Sequence, residues 1–295
     1  MLSVLIPIYN YDAFPLAKEM VRQAEKESVD FEILCYDDGS TLFEKENKRM
    51  GSLKNVAYKK FSSNIGRTAI RQKLANDASF DWLLFVDADM MPKENFFLKN
   101  YIKAIGCNDF QVAFGGYSYS NDIRPSNLRL RYGRNREEVD VKNRNKLIYN
   151  HIFFGNLLMS KRIFNELFDE YDEDIYGEDI FLASKLKAAK IPVTHLDNSA
   201  YHLGLEKNID YIHKIKTSAH TLSKLYLNPT IDVSYSKLIR CYLFLKKYNL
   251  ITITRLILLI LMPLMYMSLR ILGWPIFFID SMRLYHFLKK IHHGI

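Results

Sequence analysis

Residues 81–92 read DWLLFVDADMMP, and their meaning turns on where the apolar run stops. Trp82–Val86 is five apolar or aromatic residues long, the length of a buried strand, and it ends at Asp87-Ala88-Asp89. A strand that delivers two carboxylates at its carboxyl end offers hard oxygen ligands to a divalent cation, and a cation held this way commonly also carries a substrate diphosphate. Ordinary surface turns contain Asp-x-Asp as well, so the surrounding sequence has to decide.

Towards the N-terminus the same pattern recurs. Leu2–Ile8 (LSVLIPI) is an apolar run closed by Tyr9-Asn10, and Phe31–Tyr36 (FEILCY) is closed by Asp37-Asp38-Gly39-Ser40. Phe14–Glu27 places Leu16, Met20 and Ala24 on one helical face, Val56–Lys60 reads as a short strand, and a helix follows Asn64-Ile65-Gly66 through Ala78. Strands alternating with helices predict an α/β fold with a doubly wound, mostly parallel sheet flanked by helices. Ligands of such sheets bind beyond the carboxyl ends of the strands. Those ends carry Pro7–Asn10, Asp37–Gly39 and Asp87–Asp89.

Further on, Phe96–Ile105 reads as a helix and Gln111–Tyr119 as one strand containing Gly115-Gly116. Arg124–Lys146 holds eight Lys/Arg against three acids, which suits either a solvated loop or a lid over an anionic acceptor. Residues 153–159 read as a buried turn and strand, 162–168 as a helix, and Pro192–His195 as a strand. The acidic stretch Asp169–Asp179 leads into a helix ending near Lys190, with Asp172, Glu173 and Asp174 read as solvated charges.

Charge divides the chain. Residues 235–295 contain nine Lys/Arg and one acid, Asp280, which accounts for the whole net charge of +8. The neutral remainder argues against a nucleic-acid-binding body, and the basic tail suits a negative surface. Three cysteines without ligand spacing (Cys35, Cys107, Cys241) read as reduced thiols in a cytosolic compartment, and residues 1–20 lack the basic start of a secretory leader. Within the tail, Leu256–Leu269 is the longest uncharged run, about 21 Å as a helix against a hydrocarbon core of about 30 Å. Burial against the rest of the chain, a marginal span from Tyr248 with a kink at Pro263, and a monotopic or re-entrant anchor are the three readings. The anchor is preferred, with basic residues on anionic lipid and Trp274, Phe277 and Phe278 at the interface.

The order SVLIPIYN, EILCYDDGS, NIGRTAIRQ, FVDAD and YGEDIFLASKL resembles the family 2 glycosyltransferases with a GT-A fold, over roughly residues 1–205. The resemblance implies an inverting, metal-dependent hexosyl- or N-acetylhexosaminyl-transferase that uses a nucleotide-sugar, commonly a UDP-sugar. With the reading of the tail given above, the chain divides into a catalytic domain over residues 1–230 and a helical, membrane-associating region over 231–295. Carried over by position, Pro7 and Tyr9 line the nucleoside pocket, Asp38 accepts from the uracil imide, and Arg71 approaches the base or diphosphate. The Asp87-Ala88-Asp89 triplet binds the nucleotide-sugar, with Asp87 at the ribose or metal, Asp89 on Mn²⁺ or Mg²⁺, and His202 as a further ligand. Asp179 is the general base and Glu178 positions sugar or acceptor. Turn chemistry at Asp38-Gly39 and helix capping at Glu178-Asp179 are the simpler readings of those residues.

Two departures are visible: Tyr36 replaces an aliphatic before Asp-Asp, and Gln72 stands where Asn often follows the arginine. The Gln-x-x-Arg-Trp motif of processive synthases is absent from the sequence, which favours addition of one sugar in surface polysaccharide biosynthesis. The acceptor is expected to be a saccharide or lipid-linked, at the inner face of the cell membrane. A catalytically silent scaffold of the same fold and a nucleotidyltransferase are the alternatives.

Overall fold

The computed structural model describes residues 1–107, 110–120, 126–168, 178–228, 232–234 and 236–293. The strands are β1 (Leu2–Ile8), β2 (Phe31–Asp37), β3 (Val56–Lys60), β4 (Trp82–Phe85), β5 (Met90–Pro92), β6 (Val112–Phe114), β7 (Tyr117–Ser118), β8 (Leu157–Ser160), β9 (Val193–His195) and β10 (Ala200–His202). The helices are α1 (Phe14–Ala24), α2 (Glu44–Lys48), α3 (Arg67–Asp77), α4 (Phe97–Cys107), α5 (Leu128–Arg136), α6 (Val141–Arg144), α7 (Lys161–Phe168), α8 (Glu178–Ala188), α9 (Asn208–Leu227), α10 (Lys237–Lys247), α11 (Ile251–Leu272) and α12 (Phe277–His293). They form two compact units. One comprises Met1–Ser120, Glu137–Ile175 and Ala189–Gly204, the other Asn121–Arg136, Tyr176–Ala188 and Leu205–Ile295.

The first unit is built on a seven-stranded sheet in the order β3-β2-β1-β4-β8-β6-β9. β1 is parallel to β2 and β4, and β2 to β3, as the alternating pattern predicts. β8 runs antiparallel to both β4 and β6. Leu2, Val4, Leu5, Ile6 and Ile8 of β1 are all essentially inaccessible, because a central parallel strand is covered on both faces. The chain leaves β1 in one direction along the sheet and returns from β3 to β4 in the other. Right-handed crossovers therefore put α1 and α3 on opposite faces.

A smaller sheet, in the order β5-β10-β7, completes the unit. Its presence corrects the single strand expected over Gln111–Tyr119. Gly116, with φ of +101°, turns the chain out of β6 in the large sheet and into β7 in the small one. Beside it, a Cβ on Gly115 would strike the Tyr101 hydroxyl, the Asn156 amide and the Asn198 carbonyl.

In the second unit, α5, α9, α11 and α12 share a core of Leu128, Tyr211, Ile212, Ile215, Leu258, Met265, Leu269, Ile276, Ile279 and Met282. Along the 22 residues of α11, only Leu258, Met265 and Leu269 are buried. Their spacing of seven and four residues marks one narrow stripe. Asp172–Asp174, expected as solvated charges, lie outside the described residues.

Candidate active site

The geometry at the end of β4 follows from a turn and a register. Val86 N–H donates to Leu5 O, holding the chain against β1, and Met90 N–H donates to Asp87 O at 2.9 Å, closing a turn with Ala88 and Asp89 at its corner. β5 then pairs antiparallel with β10, with His202 opposite Met90, and Leu203 N–H donates to Asp89 O at 2.8 Å. The result is that His202 Nε2 stands 3.5 Å from Asp89 Oδ2, with side-chain exposures of 12% and 30%. The rings of Tyr117 and Tyr119 flank His202 at centroid distances of 5.9 and 5.7 Å. The Tyr119 hydroxyl in turn is hydrogen-bonded to Glu137. Gly204 is required there for space, since a Cβ at that position would overlap the Asp89 carboxylate.

Asp87 has a different neighbour. Arg71 on α3 donates Nη2–H to Asp87 Oδ1 at 2.6 Å, and its guanidinium lies 4.7 Å from the centre of the Phe154 ring. The Arg71 side chain is 8% exposed and that of Asp87 31%, so this charge-assisted contact is shielded on the arginine side and open to solvent on the carboxylate side. Gly155 lies alongside, where a Cβ would meet the Tyr117 hydroxyl and approach Asp87 Oδ2 to 3.0 Å.

At the ends of β1 and β2 the loops are pinned to one another. Asn10, at φ of +50°, donates its N–H to Ser40 Oγ and accepts from Thr41 and Leu42 N–H at its own Oδ1. Asp37, fully buried, accepts from Ser40 N–H and the Tyr58 hydroxyl, so the turn chemistry expected of Asp38 belongs to Asp37. Asp38 accepts instead from Ile65 and Gly66 N–H at 2.7 and 3.1 Å. Gly39, at φ of +71°, permits that approach, because a Cβ there would come within 2.6 Å of the Ser63 carbonyl carbon. Pro7 is half-buried at the end of β1, and Tyr9 is 56% exposed beyond it. Burial, and then the negative charge of Asp89, raise the pKa of Tyr11 in the same loop.

These positions decide what the donor set suits. Among the described residues no three His, Cys, Asp or Glu side chains converge as a metal cage. The structure brings Asp89 and His202 together and turns Asp87 to Arg71. One carboxylate and one imidazole fit a divalent cation that completes its shell with water and a substrate diphosphate, the usual mode of binding phosphate-bound Mg²⁺. Glu178 and Asp179 form the first turn of α8 in the second unit, Glu178 being buried and Asp179 half-buried.

The basic stretch Arg124–Lys146, within its described part, is neither a loop nor wholly solvated. Arg144 is buried and donates to the carbonyls of Phe114, Gly115 and Leu196 at 3.1, 3.2 and 2.8 Å. It also meets His195 Nδ1 at 3.4 Å, while His195 Nε2 lies 2.9 Å from Ile148 O. Those two partners assign the proton to Nε2. Arg144 and Gly204 were not legible as site residues. Only Gly204, two residues after His202, carried a signal: a glycine beside a ligand.

Residues 3–168 match the model of Glycosyl transferase family 2. The chain belongs to that family. The glycosyltransferase resembles in fold the mannosyltransferase PcManGT from Pyrobaculum calidifontis, solved in complex with GDP-Man and Mn²⁺. The TM-score is 0.57 at 13% identity, over 99% of this chain and 87% of that one. S. aureus TarS aligns at 18% identity and a TM-score of 0.49 over 81% of this chain, which spans 42% of the TarS chain. TarS 1–349 in complex with UDP-GlcNAc aligns at 15% identity and 0.49, over 99% and 92% of the two chains. A search of curated proteins finds no match to the sequence.

Proposed function

We propose that this glycosyltransferase adds a single sugar, with inversion, from a nucleotide-sugar to a saccharide or lipid-linked acceptor at the inner membrane face. UDP-sugars are the first donors to test. The convergence of Asp89 and His202 at the end of β4 carries the reading. Catalysis is assigned to residues 1–230 and membrane association to 231–295.

On this reading Pro7, Tyr9 and Asp38 receive the nucleoside, with the Asp38 carboxylate held in place by the Ile65 and Gly66 N–H groups. Arg71 holds Asp87 in one orientation towards the ribose. Asp89 and His202 hold Mn²⁺ or Mg²⁺, and when bound that ion would offset the charge developing on the leaving diphosphate. Asp179 takes the proton of the acceptor hydroxyl as its oxygen attacks the anomeric carbon, and Glu178 orients the acceptor. GDP-Man, the sugar nucleotide in the PcManGT complex, is the donor to set beside the UDP-sugars.

The test is calorimetric titration of UDP and GDP into the protein with Mn²⁺ and with EDTA, beside Asp89→Ala. Binding that needs Mn²⁺ and disappears in the variant is expected. Equal binding in EDTA, or by the folded variant, would overturn the metal assignment.

A further inference from the structure

Besides its buried stripe, α11 carries a second one. Ile253, Ile257, Ile260, Leu264, Met267 and Ile271 recur at helical spacing, and all are exposed, from 49% to 77%. At 100° per residue they lie about 140° around the helix from Leu258, Met265 and Leu269. An apolar surface of this length is rarely left to water. Trp274 and Phe277, 55% and 59% exposed, continue it beyond the helix end.

Charge selects the occupant. Asp280, the one acid of residues 235–295, is held by Arg136 at 2.7 Å, so the region's remaining side-chain charge is all positive. A second copy docking face to face would oppose basic rims, whereas an anionic bilayer complements them. The packed inner stripe argues for a helix lying flat. Crossing the bilayer would pull Leu258, Met265 and Leu269 out of the core they share with α9 and α12.

Where the outer stripe ends, a cavity of about 480 Å³ is lined by Ser126, Asn127, Lys207, Asn208 and Arg270. Its walls are pinned. Asn208 donates to the carbonyls of Ser126 and Arg270 and accepts from Leu128 N–H, and Asn127 donates to Glu206 O. The Glu206 carboxylate is engaged by Lys214. Neither Lys207 nor Arg270 has a carboxylate partner among the described residues. Two cations beside an open cavity whose walls are held by the asparagines suit a phosphate, and Arg270 directly precedes Ile271 of the stripe.

We infer that α11 lies in the plane of an anionic bilayer on its Ile253–Ile271 stripe, with a lipid phosphate headgroup seated in the Lys207–Arg270 cavity. The inference rests on the membrane association proposed above and specifies its mode. It is tested without donor or acceptor, by flotation of the full chain with phosphatidylcholine vesicles with and without phosphatidylglycerol.

Flotation with the anionic vesicles is expected, falling at least about tenfold in Lys207→Glu/Arg270→Glu and in Ile260→Asp/Leu264→Asp. All four positions lie outside the core, and circular dichroism checks that the variants fold. Absence of flotation, or a wild-type dimer that Ile260→Asp/Leu264→Asp makes monomeric, would overturn the membrane association itself. Flotation indifferent to Lys207→Glu/Arg270→Glu would overturn only the headgroup site. Displacement by inorganic phosphate beyond that by chloride of equal ionic strength would reassign the cavity to a free anion. Alkaline carbonate should strip the protein from cell membranes, and resistance to it would establish a span and overturn the in-plane mode.

Discussion

His202 and Asp89 lie more than a hundred residues apart in sequence, yet the pairing of β10 with β5 sets Nε2 and Oδ2 3.5 Å apart. Asp89→Asn is expected to abolish Mn²⁺-supported nucleotide binding, and His202→Ala to weaken it by about tenfold or more. Calorimetric titration at fixed UDP checks both. A His202→Ala protein with wild-type metal affinity would remove the imidazole from the ligand set.

Gly204→Ala isolates geometry from chemistry. The added methyl removes no functional group but displaces the Asp89 carboxylate. The variant should fold normally and lose about a hundredfold in kcat/KM, the scale expected of an ångström-sized displacement at a reacting centre. Initial rates across a Mn²⁺ series would show it.

Arg71→Lys should not be a mild change. A lysine can reach Asp87 as a point charge but cannot keep the planar contact with Phe154, so transfer is expected to fall about tenfold. Arg71→Ala should in addition lower stability by about 1–3 kcal/mol, because the charge-assisted bond to Asp87 and the buried packing on Phe154 are lost together. Donor kinetics and denaturant unfolding separate the two effects.

Arg144→Met tests the interior support of the site. Three backbone carbonyls lose their donor, and a cost on the order of 3 kcal/mol is expected. Gly115-Gly116 leads directly into Tyr117, so the variant's Mn²⁺ affinity should fall too. Unchanged metal binding in a destabilised protein would confine Arg144 to a structural role.

Acid should weaken the fold through His195 and His286. Burial, more than the nearby cationic Arg144 or His220 and Lys216, lowers both imidazoles from 6.5 to about 4. The unfolded chain therefore binds more protons between these values, so stability is full above about pH 6.5 and is lost as pH falls towards about 4. Thermal unfolding across that window should show the loss, and a His195→Asn/His286→Asn double variant should show a shallower slope.

Much of the first unit was legible because apolar runs of strand length ended in polar clusters, and a parallel sheet gathers such ends along one edge. β1 to β4 with α1 and α3 follow that pattern, whereas the five-residue α2 between β2 and β3 was not read. The small sheet did not follow it. β5, β7 and β10 are two or three residues long, too short for any periodicity, and only their pairing gives them identity. For the same reason His202 could be suspected from its place after β9, whereas its pairing with Asp89 could not. Arg144 was hidden by its company. In a stretch of eight basic residues, nothing local distinguishes the one whose charge is spent on backbone carbonyls.

The shared core of α5, α9, α11 and α12 bears on how this enzyme can be dissected. Removing the chain from residue 251 onwards would not release a tidy soluble catalyst. It would strip Leu128, Tyr211, Ile212 and Ile215 of their cover and present a fresh adhesive surface in place of the native one. On the membrane reading proposed above, the stretch that meets the bilayer and the stretch that keeps its neighbours folded are the same helix, read from opposite sides. Solubility is therefore better sought by replacing outward side chains such as Ile260 and Leu264 than by shortening the protein.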